Sequence, residues 1–103
     1  MSENEAENLL REDLLRFEVA VLRLIRVSLT DGQFDALVSF CFNLGAGALQ
    51  RSTLRRKINS GYTYDIKEEF LKWVYVRGKR FNGLVKRRLS EVELFFHKIL
   101  VKL

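Results

Sequence analysis

Thiol and imidazole side chains, which often act as nucleophiles or metal ligands, are nearly absent from this sequence. The sequence has one cysteine, Cys41, and one histidine, His97, and these residues lie far apart along the chain. A single cysteine cannot form an internal disulfide, and Cys41 stands in the most apolar stretch, so we predict a core residue rather than a nucleophile. No metal-ligand cluster is present, and we expect neither a metal ion nor another cofactor.

The 13 acidic residues are the remaining candidates for chemistry, because carboxyl groups can transfer protons. A carboxyl group works as a general acid at neutral pH only where its surroundings hold it protonated. The acids of residues 3–13 have a plainer explanation, since they lie early in a predicted helix, where negative charge suits the helix dipole. Of the others, Asp31 and Asp65 fall in predicted first turns, and four are predicted to be solvated or ion-paired: Glu68, Glu69, Glu91 and Glu93. We therefore predict no catalytic residue.

The basic residues are concentrated in segments 51–57 and 77–88, whereas residues 2–13 are acidic, and the net charge is +5. A basic face favours an anionic partner such as nucleic acid, a lipid surface or the anionic bacterial cell wall. We rank nucleic acid last, because the sequence has no signature of a known reader and its aromatic residues are mostly predicted to be buried. Charge alone does not choose between the other partners.

Hydrophobic periodicity predicts helices as the elements that position these residues. The first helix is predicted from about Glu3 to Arg26, with Ser2 and Glu5 as a capping box. Its inner stripe is predicted at Ala6, Leu10, Leu14, Phe17, Val21 and Leu24. The second helix, about Asp31 to Leu44, is apolar nearly all round, which is typical of a central helix covered by others. Thr30 and Gln33 are expected to cap its start, and Gly45 to end it.

The rest of the chain predicts shorter helices and a loop. A turn over 46–49 leads to a helix that Ser52 caps and Gly61 closes, with Arg55, Arg56 and Lys57 pointing outward. The next helix starts near Tyr64 or Asp65, with a buried stripe at Ile66, Phe70, Trp73 and Val74. Residues 77–83 are predicted to form a loop. The last helix begins near Gly83, with an inner face at Val85, Leu89, Val92, Phe96 and Ile99.

Together these segments predict an all-α fold, a compact bundle of about five helices around a buried central helix, with residues 1–103 forming a single domain. No apolar stretch is long enough to cross a bilayer, and the acidic start is unlike a secretion signal. We therefore expect neither a membrane span nor an export signal, which would leave the chain in the cytoplasm.

Three segments in order resemble one protein family. They are EAENLLREDL at 5–14, LTDGQFDALVSFCFNLG at 29–45, and EFLKW at 69–73 combined with GLVKRR at 83–88 and Glu91. These motifs are similar to those of the phage-type lysozymes, glycoside hydrolase family 24, and above all to their lambdoid-phage endolysins. The middle segment is the specific one, and the resemblance extends over roughly residues 3–96.

The resemblance implies hydrolysis of the bond between N-acetylmuramic acid and N-acetylglucosamine in peptidoglycan, and thus a family that acts on the cell wall. In the family a glutamate in a preceding N-terminal lobe is the general acid, and a Gly-Tyr-Gly-His-Thr-like segment follows it. Neither occurs in this sequence, so we expect a truncated, split or remodelled endolysin that corresponds to the C-terminal helical lobe and is inactive alone. The groove wall of this lobe implies substrate-binding roles for Phe42, Asn43, Gly45, Gly83 and Arg87.

Other interpretations remain open. A helical lobe without its neighbour would expose an apolar strip, and such strips recruit partners. The chain could then be a non-catalytic interaction module that binds a second copy of itself or a separately encoded N-terminal lobe. For individual site residues, Asn43 could instead satisfy local backbone groups at its helix end, Arg87 could be a surface residue, and Trp73 is predicted to pack in the core.

Overall fold

The structure is a computed structural model that describes residues 3–97, apart from the side chains of residues 3, 4, 6–8 and 10. Within that range the chain forms helices and one short hairpin, in the order α1 (Glu3–Leu24), α2 (Asp31–Leu44), α3 (Ala46–Gln50), α4 (Thr53–Asn59), α5 (Ile66–Leu71), β1 (Tyr75–Val76), β2 (Lys79–Arg80) and α6 (Asn82–Phe95). The prediction of an all-α bundle around a central helix is confirmed. None of the helices described is long and apolar enough to cross a membrane.

Helix α1 ends at Leu24, two residues before its predicted end. Its inner stripe is confirmed at Val21 and Leu24, which are buried, and at Leu14 and Phe17, which pack against the core from its edge. The predicted cap at Ser2 and the stripe positions Ala6 and Leu10 lie outside the described residues. The described side chains of α1 that join the core lie in its C-terminal half.

Helix α2 is the central helix, as its apolar surface predicted. It contacts α1, α3 and α6, and its buried residues are Ala36, Leu37, Val38, Phe40 and Cys41. The capping box is confirmed: the Thr30 hydroxyl accepts from the Gln33 amide, and the Gln33 side chain accepts from the Thr30 amide. Gly45 ends the helix with a φ of 93°, a value that suits a residue without a Cβ atom.

Helices α2 and α6 run antiparallel at very close range. Gly32, in the first turn of α2, lies against the last turn of α6, where a Cβ atom on Gly32 would come within 2.3 Å of the Leu94 carbonyl oxygen. Further along α2, Ser39 bonds to Glu91 and Asn43 to Arg88. The absence of a side chain at Gly32 thus sets the separation that lets these polar pairs form.

Helix α3 contacts α2, and α4 and α5 continue the chain of contacts from α3 to α6. Ser52 caps α4 as predicted, because its hydroxyl accepts from the Arg55 amide. The prediction that Arg55 and Lys57 point outward is wrong. Arg55 donates to the carbonyls of Leu24 and Gln50, and Lys57 pairs with acids at the start of and within α5. Both cations are drawn inward by acceptors that the local sequence does not reveal.

An antiparallel hairpin overlaps the segment predicted as a loop, and its first strand lies just before that segment. Tyr75 pairs with Arg80 and Val76 with Lys79, and the connection is Arg77-Gly78. Both turn residues have positive φ, 52° and 79°, as a two-residue type I′ turn requires. The prediction missed it because only Gly78 carries the usual signal for such a turn, and Arg77 adopts the left-handed conformation without one.

The predicted inner face of α6 is wrong in its register. The buried residues are Arg88, Glu91 and Phe95, whereas Leu89 and Phe96 are exposed. Val85 and Val92 are half-buried, and Ile99 lies outside the described residues. Hydrophobic periodicity fails here because a pair of opposite charges occupies the positions that face the core.

Candidate functional site

The second half of α2 and the middle of α6 are joined by a buried polar network around Arg88. The Arg88 side chain is fully buried, and its guanidinium binds both carboxylate oxygens of Glu91 at 2.6 and 2.9 Å. It also donates to the Trp73 carbonyl at 3.2 Å and lies 5.3 Å from the centre of the Phe40 ring. Ser39 donates to Glu91 at 2.7 Å. The network thereby ties α2, α6 and the segment after α5 together.

Asn43 is the candidate site residue that this network holds in place. Its Oδ1 accepts from Arg88 Nη2 at 2.8 Å, which fixes the orientation of the amide because arginine can only donate. Its Nδ2 donates no hydrogen bond within residues 3–97. The alternative, in which Asn43 satisfies local backbone groups, is therefore wrong. The half-buried side chain presents an oriented amide NH2 group with two N–H donors.

The other predicted site residues of α2 lie around this point. Phe42 is 43% exposed and packs edge-on against Phe17 of α1, with ring centres 5.8 Å apart. Gly45 terminates the helix, and its amide donates to the Cys41 carbonyl. Trp73 meets Phe40 edge-on at 5.5 Å, and the Arg51 guanidinium lies over its ring. Trp73 is thus half-buried core, as predicted, rather than an open stacking surface.

The predicted site residues of α6 lie on its exposed side. Gly83 is exposed in the first turn, and a Cβ atom there would meet nothing within 4 Å. Arg87 is exposed and lines a shallow pocket of about 240 Å³ with Ser39, Lys86 and Ser90. Arg87 therefore lies beside the network residue Ser39, whereas no described contact joins Phe42 to Gly83 or Arg87.

Among the acidic side chains that the structure describes, two are buried, and both are paired with cations. Glu91 accepts three hydrogen bonds, from Arg88 and Ser39. Glu69 accepts from Lys57 and Lys72 at 2.8 to 2.9 Å. Burial alone would raise the pKa of Glu69, but the hydrogen bonds from Lys72 and Lys57 outweigh it and lower that pKa below its ordinary value. Glu68 and Glu93 are exposed, as predicted. The sequence predicted Glu69 and Glu91 to be solvated or ion-paired, but it did not predict that these two ion-paired acids are buried.

Asp65 completes the acidic cluster between α4 and α5. Its Oδ2 pairs with Lys57 at 2.5 Å, and this hydrogen bond lowers the pKa of Asp65 and raises that of Lys57. Its buried Oδ1 has no hydrogen-bond partner among the described residues. The cluster stabilises the charged form of each member, which is the opposite of what a general acid requires.

Cys41 and His97 take no part in a site. The Cys41 side chain is fully buried, as predicted, and burial followed by the charge of Glu91 raises the pKa of its thiol to about 12. His97 is exposed after the end of α6. Among residues 3–97 no group of histidine, cysteine or acidic side chains is arranged to hold a metal ion.

Sequence reasoning missed Arg88, Glu91 and Ser39 as partners of Asn43. Arg88 was counted with the basic surface, and Glu91 among the solvated or ion-paired acids. One signal was available: Arg88, Glu91 and Phe95 are spaced as one face of a helix, so a buried Phe95 places the ion pair on the buried side. The prediction that aromatic residues are mostly buried is also wrong, since six are exposed in the described part of the chain: Phe42, Tyr62, Tyr64, Tyr75, Phe81 and Phe96.

Comparison with known proteins decides the family. The family described as phage lysozyme matches residues 1–91. The chain belongs to this family. Among its relatives are the endolysin of Bacillus phage B103, which is 50% identical over 95 residues, and the SAR-endolysin of Escherichia phage Mu, which is 40% identical over 94 residues. The match covers 92% and 91% of this chain, respectively.

Solved structures agree with the fold. The muramidase domain of SpmX from Asticaccaulis excentricus superposes with a TM-score of 0.84 at 37% identity. The endolysin from Escherichia coli O157:H7 phage FAHEc1 superposes with a TM-score of 0.82 at 34% identity. The matches cover 95% and 99% of this chain and 69% and 67% of those two chains.

The chain is shorter than the relatives it matches. It spans 36% of the B103 endolysin, 35% of the endolysin of Bacillus phage PZA and 55% of the Mu SAR-endolysin. The matched region therefore corresponds to one part of each of those proteins.

Proposed function

We propose that this chain forms the helical wall of a muramidase groove, that it binds the glycan strand of peptidoglycan, and that the catalytic acid is supplied from outside residues 3–97. In this proposal residues 3–97 form an endolysin lobe that has no muramidase activity without that acid. It resides in the cytoplasm until lysis and then acts on the cell wall. The observation that carries the proposal is a contrast among the described residues. The Asn43 amide is oriented by Arg88 and its NH2 group donates to none of them, whereas the buried carboxylates are neutralised by cations.

Glycoside hydrolysis conventionally needs two carboxyl groups that face each other across the sugar, about 5 to 10 Å apart. One of them must carry a proton and present it to the glycosidic oxygen. The oxygens of Glu91 face Arg88 and Ser39, and those of Glu69 face Lys57 and Lys72. Neither acid has an oxygen free to hold and deliver a proton, so both have a structural role.

Asn43 is suited to binding rather than to proton transfer. Its amide NH2 group can donate to the carbonyl of an N-acetyl group or to a sugar hydroxyl. Because Arg88 already holds Oδ1, the amide does not have to be ordered when a ligand binds, and less entropy is lost. Gly45 and Gly83 leave the adjoining backbone uncovered, while Phe42 and Arg87 provide apolar and cationic contacts at the edges of the wall.

Incubation of the purified chain with peptidoglycan tests the absence of catalysis. We expect no release of reducing sugars above the background. Addition of a separately expressed N-terminal lobe from a family member is expected to restore release. Release by the chain alone that a single acidic substitution abolishes would overturn the proposal.

An Asn43→Asp variant tests the binding role. Aspartate keeps an acceptor for Arg88 but removes the two donors, so stability should be kept while glycan binding falls about tenfold, the value of one lost hydrogen bond to a neutral group. NMR titration with an N-acetylglucosamine oligomer measures the affinity, and Gln50→Ala, an exposed change elsewhere, is the control. Equal affinity of the Asn43→Asp variant and the unmodified chain would remove Asn43 from the wall.

A second candidate function is that of an interaction module, and an exposed apolar stripe on α1 favours it. Leu15, Val19 and Leu22 are 60%, 55% and 67% exposed at helical spacing, and the first two of them line a groove of about 650 Å³. Contiguous exposed apolar surface of this kind marks partner sites. In this candidate the stripe is covered by a second copy or by a separately encoded catalytic lobe. Light scattering after size exclusion tests the first, and a strictly monomeric chain counts against it.

A further inference from the structure

The hairpin formed by β1 and β2 projects from the bundle. All residues from 75 to 83 are exposed, while Val74, immediately before them, is buried and anchors the hairpin through the hydrogen bond from the Phe81 amide to its carbonyl. The left-handed turn at Arg77-Gly78 forms its tip. Both sides of the hairpin are therefore accessible, and the base is fixed.

The hairpin and the start of α6 carry positive charge without compensation. No acidic residue occurs between Glu69 and Glu91. Five cations in this stretch make no ion pair within residues 3–97: Arg77, Lys79, Arg80, Lys86 and Arg87. The other two, Lys72 and Arg88, pair with Glu69 and Glu91. These five unpaired cations therefore give the surface a positive potential, which nearby acidic partners would otherwise cancel.

Apolar side chains lie among these cations. Val76 is 50% exposed and Phe81 is 42% exposed. Val76 and Lys79 are cross-strand partners and so share a face of the hairpin. Lys79 lies 5.7 Å from the centre of the Phe81 ring, which places Phe81 beside them. One face thus combines aliphatic, aromatic and cationic side chains.

We infer that this hairpin is a membrane-contacting element that binds the surface of a bilayer rich in anionic lipids. Clustered lysines and arginines are attracted to anionic headgroups. Aromatic and aliphatic side chains enter the boundary between headgroups and acyl chains. Nucleic acid would satisfy the cations, but it offers no apolar environment for Val76, and for this reason the lipid surface fits better. The contact is peripheral and independent of glycan binding.

Vesicle co-sedimentation of the full chain tests the inference, with phosphatidylglycerol mixed into phosphatidylcholine as the anionic probe. We expect binding to the anionic vesicles that weakens with salt, and little binding to pure phosphatidylcholine. The variant R77Q/K79Q/R80Q is expected to lower the partition coefficient about a hundredfold. The variant V76S/F81S is expected to lower it about tenfold, since it removes only the apolar contacts.

A charge-matched control separates a local site from net charge. The variant R11Q/R23Q/R26Q removes three exposed cations from and just after α1, and we expect its partition coefficient to stay within about threefold of the unmodified chain. Equal losses in the control and hairpin variants would overturn the inference, as would equal binding to neutral vesicles. A hairpin variant that loses duplex DNA binding but keeps vesicle binding would also overturn it. Since the vesicles contain no glycan, these results do not depend on the proposed function.

Discussion

Arg88 is the largest fully buried side chain in the described part of the molecule, and it is charged. Removing a guanidinium and a carboxylate from water is costly, and their attraction offsets that cost only when the remaining donors and acceptors are also satisfied. Here Asn43, Ser39 and the Trp73 carbonyl supply those partners. A loss of either charge would leave the other buried without a counterion.

Replacement of Arg88 by methionine should therefore destabilise the fold by about 3–5 kcal/mol. Arg87→Gln is the matched control, because Arg87 is the exposed neighbour, and its effect should stay within about 0.5 kcal/mol. Urea unfolding followed by circular dichroism measures both. Similar losses in the two variants would contradict the role given to the buried network.

The double variant Arg88→Met/Glu91→Leu should recover most of that loss. It removes both charges at once and leaves an apolar contact between α2 and α6, which is often neutral or stabilising relative to a buried ion pair. Asn43 would lose its partner, so its amide would no longer be held. We expect a stable variant with weakened glycan binding, and retained binding would show that Arg88 does not orient Asn43.

At the scale of the elements, the sequence predicts best where local chemistry and core packing agree. Helix α2 combines a capping box, an apolar surface and a terminal glycine, and all three were identified correctly. Helix α6 was assigned the wrong face because Val85, Leu89 and Val92 form an apolar stripe that competes with the true face of Arg88 and Phe95. Hydrophobic periodicity considers only apolar residues, so it does not predict that Arg88 and Glu91 can be buried as a neutral ion pair.

The contact between α2 and α6 predicts opposite results for two helical glycines. Gly32→Ala should destabilise the fold by about 1–3 kcal/mol, because the new Cβ atom would clash with the Leu94 carbonyl. Gly83→Ala meets open space within α6 and should be neutral or stabilising by up to about 1 kcal/mol. Thermal unfolding compares the two, and a tolerated Gly32→Ala would show that the helices can separate at low cost.

The ion pairs of Lys57 with Asp65 and Glu69, which join α4 to α5, should make the stability of the fold depend on pH. The folded pKa of Glu69 is below its ordinary value of 4.5, so its contribution is complete above that value and is lost as pH falls through the folded pKa. The pKa of Lys57 is raised above 10.5, so its contribution is lost only as pH rises through the raised value.

In a Glu69→Gln variant, the free energy of unfolding should accordingly decrease less steeply as the pH falls. The measurement is the urea midpoint at several pH values from 7 down to the folded pKa. Glu68→Gln provides the control, since Glu68 is the exposed neighbour on the same helix and should leave the acid limb unchanged. An identical acid limb in both variants would mean that the ion pairs of Glu69 do not govern it.

At the scale of the whole molecule, the exposed stripe of α1 is apolar surface that the core does not cover. The variant Leu15→Lys/Leu22→Lys should leave the free energy of unfolding within about 0.5 kcal/mol for each change, because both side chains are largely exposed. It should abolish any concentration-dependent association of the chain. Light scattering measures this, and association that persists in the variant would assign it to another surface.

The candidate site was predictable only in part. Asn43 and Arg87 come from the resemblance in motif, and the structure brings them to neighbouring helices through Arg88 and Ser39. The partners themselves are separated by more than forty residues in sequence, from Asn43 to Arg88. Long-range hydrogen bonds of this kind leave no pattern in the local sequence. The arrangement of these side chains is therefore visible only in the folded structure.

The burial of Cys41 has a practical consequence. Only the thiolate reacts quickly with alkylating agents, and a fully enclosed thiol with a pKa of about 12 presents almost none of it at neutral pH. Iodoacetamide should therefore modify the native chain only when its centre opens. Because the sequence contains a single cysteine, the labelling rate under native conditions would report how often the middle of α2 becomes accessible, without any engineered probe.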